Sequence, residues 1–155
     1  MEIKGGCLCG AVRYTAEVDP TSATVCHCRD CQKFTGSAFA ALVRATKEAV
    51  TIEGTLKTFS SIGGSGNPIL RHFCPECGSS IAEEPGTRPG VIILNVGTFD
   101  QPAAAKPGRE IFRETRCRGS RCTAKYRASE NAQIKNQGGS SISLAALLLS
   151  VVTDM

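Results

Sequence analysis

Three cysteines fall within Cys26-His27-Cys28-Arg29-Asp30-Cys31, and this spacing restricts the fold more than anything else in the chain. In a C-x-C-x2-C run a tight turn brings all three sulfurs to one side of a loop, where they can reach a single ion. No fourth protein ligand stands nearby. Tetrahedral zinc takes four ligands, so the group either borrows one from elsewhere or leaves a coordination position open for chemistry.

Two further pairs share this character. Cys7-Leu8-Cys9 lies between Gly6 and Gly10, and Cys74-Pro75-Glu76-Cys77 is followed by Gly78. Glycine beside a ligand pair lets the backbone take a left-handed turn that points both sulfurs at one ion. Each pair is half a tetrahedron, and Cys7, Cys9, Cys74 and Cys77 together would make a closed, structural zinc site. Two other assignments stand beside it. Cys117 and Cys122 could complete a site with Cys74 and Cys77, although they lie in an irregular basic segment. The Cys74–Cys77 pair could exchange disulfides, although that use expects a helix N-terminus and a βαβ setting.

The redox setting follows from the same residues. Met1-Glu2-Ile3-Lys4-Gly5-Gly6 contains no apolar run of the secretory kind, so the nine cysteines are expected to be reduced thiols of a cytoplasmic protein. Seven of the nine fall in the C-x-C or C-x2-C groupings, which in a reducing compartment read as metal binding first.

A chain of 155 residues is long enough for one domain with a buried core. Ala11–Val18 alternates apolar with polar and stops at Asp19-Pro20, as a half-buried strand does. Ala23–Val25, Ala38–Val43, Thr55–Ser60, Ile69–Phe73, Ser80–Ala82 and Val91–Val96 read as further strands. Only Arg29–Thr35 could form two helical turns before residue 112. The expectation is an all-β body, with two small sheets packed together or a partly closed barrel. Gly63-Gly64-Ser65-Gly66-Asn67-Pro68 opens no helix and lacks a following Lys-Ser/Thr, so it reads as a flexible loop rather than a phosphate cradle.

Charge divides the chain near its last third. Residues 1–105 carry 9 Lys and Arg against 10 Asp and Glu, whereas 106–155 carry 9 against 4, so the net +4 belongs to the tail. Residues 1–112 form the expected zinc-binding body. Residues 113–155 form a basic, poorly ordered tail. Aromatic residues are too sparse there for the usual nucleic-acid surface, so a solvated tail is the simpler reading. The apolar run Ile142–Val152 would span roughly 17 Å as a helix against roughly 30 Å of bilayer hydrocarbon, too short to cross a membrane.

The three-cysteine group carries the chemistry. Three thiolates on Zn2+ leave a net charge of −1 and one electrophilic position, whereas four leave −2 and none. Three anionic sulfurs cancel too much of the metal's charge for efficient hydroxide generation, so an incoming small-molecule thiol suits the open position better. His27 lies between two ligands and should point away from their shared ion, into a supporting or solvent-facing position. Arg29 could stabilise the thiolates and hold a substrate carboxylate, or stand as a solvated charge. His72 reads as a strand residue.

Taken together, Gly5–Tyr14, Cys26–Gly36 and Phe73–Ser79 resemble the GFA family, the glutathione-dependent formaldehyde-activating enzymes and their relatives, which include a centromere-associated protein. All seven cysteines match in order and spacing, over roughly residues 3–112. The resemblance implies a β-tent fold with two zinc ions, a structural one at Cys7, Cys9, Cys74 and Cys77 and a catalytic one at Cys26, Cys28 and Cys31. It also implies carbon-sulfur lyase activity joining glutathione to formaldehyde, or a related thiol to a related aldehyde. A non-enzymatic, zinc-stabilised binding module that uses its basic tail for nucleic-acid or protein contacts is the competing reading. The segment after about residue 113 departs from the family pattern, with arginines and no Trp, as a shifted reading frame or altered splice would produce.

Overall fold

The computed structural model describes residues 1–118. The segment beyond, with Cys122 and the apolar run 142–152, lies outside the described residues, and with it most of the expected tail.

Ten strands and one α-helix make up this part of the chain. A three-stranded antiparallel sheet contains β1 (Glu2–Gly6), β2 (Arg13–Glu17) and β5 (Val50–Glu53) in the order β1-β2-β5. The other sheet contains β3 (Thr24–Cys26), β4 (Ala40–Thr46), β6 (Lys57–Ile62), β7 (Pro68–Phe73), β8 (Ser80–Pro85), β9 (Val91–Asn95) and β10 (Arg109–Ile111). Its order is β10-β3-β4-β9-β8-β7-β6, with β10 parallel to β3 and every other neighbour antiparallel. The fold is all-β, as expected for a β-tent, and takes the two-sheet form.

Local sequence explains most elements. In β2 Tyr14 and Ala16 point inward while Arg13, Thr15 and Glu17 stay exposed, the two-residue alternation of a strand with one buried face. The strand stops where Asp19 caps a 3-10 turn at Pro20–Ser22, its side chain accepting from Thr21 N at 2.9 Å. The apolar run in β4 has a different cause, because this central strand is covered on both faces. Val43 and Ala45 join the main core with Ile3, Tyr14, Ile81 and Leu94, while Ala40 and Leu42 join a smaller cluster with Cys26 and Cys31.

Strands β1, β5 and β10 were not visible in the amino-acid pattern. Strand β1 has Ile3 as its one large apolar side chain, β5 is four residues long, and β10 is Arg-Glu-Ile. Each is recruited by a neighbour's unpaired backbone rather than by its own hydrophobicity.

Strand register across the larger sheet positions the site. Cys26 pairs with Ala40, Leu42 with Asn95, and Ile93 with Glu83, which in turn pairs with Arg71. Directly opposed residues share a sheet face, and alternate residues along one strand do too. These seven therefore line one face, and the main core lies against the other.

Removing side chain from that main core tests the packing. Leu94 is fully buried, so Leu94→Ala is expected to cost about 3 kcal/mol through lost transfer energy and the cavity left behind. Urea unfolding of the metal-loaded protein checks it.

Candidate metal centres and the adjoining cavity

Cys7 and Cys9 occupy the turn between β1 and β2, and Cys74 and Cys77 the turn between β7 and β8. Gly10 and Gly78 close these turns with φ of 79° and 73°, a left-handed conformation that a side chain would disfavour. Their amides donate to Cys7 O at 3.2 Å and Cys74 O at 2.9 Å. The two turns meet, and the four sulfurs all lie within 4.8 Å of one another. Cys7 Sγ lies 3.5 Å from Cys9 Sγ, and Cys9 Sγ lies 3.8 Å from Cys74 Sγ. Zn–S bonds of about 2.3 Å place the sulfurs of a regular tetrahedron roughly 3.8 Å apart, so these edges fit such an ion. Val12 N donates to Cys7 Sγ at 3.2 Å, and Ser79 holds the Cys77 thiol down at about 5 through its hydroxyl and backbone N–H.

Cys26, Cys28 and Cys31 form a second group with sulfurs within 4.8 Å. Cys26 ends β3. Cys28 is the N-cap of α1 (Arg29–Thr35), its sulfur accepting from Cys31 N at 3.3 Å, and Cys31 lies one turn into the helix. The cap explains both the tight spacing and why the helix begins here. Hydrogen bonds from Cys26 and then Cys31 hold the Cys28 thiol far below its ordinary value, while sharing with Cys26 and Cys28 pushes Cys31 upward. A divalent cation among them would let all three ionise, and this donor set fits a thiophilic metal.

Neither group recruits a histidine. His27 is 3% exposed, its ring packs edge-on against Phe39 at 5.8 Å, and Nε2 lies 3.9 Å from Glu110 Oε2. It therefore points away from the sulfurs as expected, into protein and not solvent. Arg29 is exposed and donates to Gln32 Oε1. His72 sits in β7 between Thr58 Oγ1 at 2.9 Å and Glu84 Oε1 at 3.2 Å. Cys74 and Cys77 come together with Cys7 and Cys9, and Cys117 is in neither sulfur group.

Several supporting residues had not been singled out from the sequence. Buried Gln32 donates through Nε2 to His27 O at 2.8 Å and Thr115 O at 3.1 Å, and Thr115 Oγ1 donates to His27 O at 2.7 Å. Residues 113–116 are thereby tied to the cysteine loop. Arg71 and Glu83, each at most 5% exposed, face the helix side of the sheet. Arg71 donates to Ser61 Oγ at 2.5 Å, lies 3.7 Å from Asp30 and stacks over Phe34. Glu83 Oε1 has no partner, and burial pushes its carboxyl up to about 7 against the opposing pull of Arg71. A charged residue in each apolar arm of the Cys74–Cys77 hairpin, at positions that a tight turn places opposite one another, was the available signal.

A cavity of about 650 Å3 opens beside the helix, lined by residues 33–37 around the end of α1, Phe39, Ala40, Asn95 and Thr98, and by Cys77–Ser80. Cys77 of the first sulfur group lines it directly, and so does Ala40, the strand partner of Cys26, whereas Cys26, Cys28 and Cys31 are not in its wall.

These features define an all-β protein with two cysteine groups able to hold metal, one built from two strand turns and one capping a helix beside a ligand-sized cavity. The GFA family model, "Glutathione-dependent formaldehyde-activating enzyme", matches residues 2–115, and the chain belongs to this family. It is 30% identical over 86 residues to a Halomonas elongata protein named "Putative glutathione-dependent formaldehyde-activating enzyme", over 52% of this chain and 55% of that one, and so spans about half the relative's length. Its fold resembles the crystal structure of a Rhodobacter sphaeroides protein, with a TM-score of 0.56 and 22% identity, covering 70% of this chain and 99% of that one. No helix among the described residues is long and apolar enough to cross a membrane.

Glu83 yields a pH prediction. Its raised value means that the folded chain holds this proton more tightly than the unfolded chain does. The contribution is fully present below about 4.5 and is lost as pH rises through about 7. Glu83→Gln is expected to flatten this fall, with a gain on the order of 3 kcal/mol at pH 8 relative to pH 4. Melting temperatures of the metal-loaded proteins across that range provide the check.

Proposed function

We propose that this chain is a zinc-dependent enzyme of the carbon-sulfur lyase type, joining a small thiol such as glutathione to formaldehyde or a related aldehyde in a cytoplasmic setting. The observation that carries the reading is the asymmetry of the sulfur groups: Cys7, Cys9, Cys74 and Cys77 supply all four corners of a tetrahedron, while Cys26, Cys28 and Cys31 supply three. The quartet is the structural zinc site, the trio is the catalytic one, and the body to about residue 112 is the catalytic domain.

In the reaction the thiol loses its proton, sulfur bonds to the carbonyl carbon, and the resulting alkoxide takes a proton back. Zinc in the trio would supply the positive charge that stabilises a bound thiolate. The protein's part is placement. Cys28 caps α1 and fixes Cys31 behind it, while Gln32 and Thr115 clamp the carbonyl of His27 between the ligands. Glu83 faces the same side of the sheet and keeps its proton to about pH 7, which spares the trio a further buried negative charge.

Magnetisation-exchange NMR of formaldehyde with glutathione tests the reaction: the protein should accelerate interconversion with the hydroxymethyl thioether, and unchanged rates would exclude this substrate pair. Two substitutions test the division of the sulfurs. Cys77→Ser should leave an unfolded or insoluble chain, since a structural zinc supplies on the order of 10 kcal/mol to folding. Cys28→Ser should fold cooperatively, retain one zinc of two by elemental analysis, and lose the acceleration.

A further inference from the structure

The helix that carries one of the three grouped sulfurs is too short to fix its own orientation. α1 has seven residues, about two turns, and an isolated helix of that length does not hold together in water. Its placement on the sheet, and with it the place of Cys31, is set by side chains that reach it from elsewhere.

Arg71 of β7 reaches it twice. The guanidinium lies over the Phe34 ring, 5.8 Å from the centroid, and Nη2 stands 3.7 Å from Asp30 Oδ2. Asp30 and Phe34 are four residues apart, so they lie on one face of the helix, a turn from each other. Cys31 follows Asp30 by about 100° of helix rotation. A rotation of α1 that carries Asp30 and Phe34 off Arg71 therefore swings the Cys31 sulfur from Cys26 and Cys28 by the same angle. On the strand side Nη1 donates to Ser61 Oγ at 2.5 Å, which fixes the guanidinium from behind.

Stability alone does not account for this side chain. Arg71 is buried and its Nε has no partner. Apolar side chains of similar volume often serve as well as a buried ion pair, or better. What a cation with a planar fork adds at this position is a hold on both Asp30 and Phe34.

We infer that Arg71 is a positioning residue for the three-sulfur group: through Asp30 and Phe34 it sets the rotation of α1 that brings Cys31 up to Cys26 and Cys28. The inference rests on the reading of that trio as a metal site, and it gives Arg71 no contact with a substrate.

The test reads the second metal ion of the full chain, without turnover. Glu83→Gln is the parent, so that removing Arg71 does not strand the Glu83 charge beside it. Chelator competition on the zinc-loaded proteins measures how tightly the second ion is held. Cobalt-loaded proteins report its geometry, the spectrum of the Cys28→Ser variant being subtracted to remove the four-sulfur site. Adding Arg71→Met to the parent is expected to weaken the second ion at least tenfold, the range seen when groups that orient metal ligands are lost, and to shift its cobalt bands. Asp30→Asn, at a half-exposed position, should weaken it too, but by less when Arg71→Met is already present, because the two side chains act as one contact. A residue held only for folding would lower the melting temperature and leave affinity and bands unchanged, and that result would overturn the inference. So would strictly additive effects of the two substitutions. If elemental analysis finds one ion in the wild-type chain, the metal reading of the trio falls and the inference with it; a second ion held equally by every variant overturns the positioning alone.

Discussion

Four sulfurs drawn together from turns 65 residues apart are the constraint on which the rest of the fold depends. Cys7 and Cys9 belong to the three-stranded sheet, and Cys74 and Cys77 to a hairpin of the seven-stranded one, so their meeting fixes one end of the sheet-to-sheet interface. Four adjacent thiols do not gather unaided, since ionising one opposes ionising the next. A cation reverses that sign and converts the repulsion into a clamp. Other links from the three-stranded sheet, to the segment after β9, are ordinary by comparison: Tyr14 to Thr98 at 2.7 Å, and the largely exposed Arg13–Asp100 pair. Exposed pairs of that kind contribute at most about 1 kcal/mol.

With the sheets held, the seven-stranded sheet divides its two faces between an apolar core and a polar, helix-covered surface. One face, through Val43, Ile81 and Leu94, closes the apolar core. The other carries Cys26, Asn95, Glu83 and Arg71 beneath a single short helix, and here the polar groups are buried and incompletely paired. Buried unpaired groups oppose folding, so this face is stable only because the opposite one is packed without polar interruption. The arrangement separates the face of the sheet that supplies stability from the face that carries buried, incompletely paired polar groups.

The amino-acid pattern revealed the sulfur groups, the all-β class and the one helix, because each is encoded locally: ligand spacing beside glycine, two-residue alternation, and the short run Arg29–Thr35 able to form two helical turns. Strands β1, β5 and β10 escaped because they are held by backbone pairing that their own side chains do not announce. Glu83, Arg71, Gln32 and Asn95 escaped for a related reason. Their significance lies in sharing a sheet face or a loop, which depends on register and not on neighbouring letters. Asn95 in particular lies inside the apolar run Val91–Val96 and reads from sequence as an ordinary strand residue.

The cavity beside α1 has Cys77 and Lys33 in the same wall, so a cation stands near one of the four grouped sulfurs. Four ionised sulfurs around a divalent cation would keep a charge of −2 and three a charge of −1, so both cysteine groups would leave their surroundings negative. Lys33 in the cavity wall and Arg71 behind the helix are compensating cations, and burial that raises the Glu83 carboxyl to about 7 lessens the charge of one more anion. Asp30 lies 3.7 Å from Arg71, which leaves Lys33 as the cation of the cavity wall.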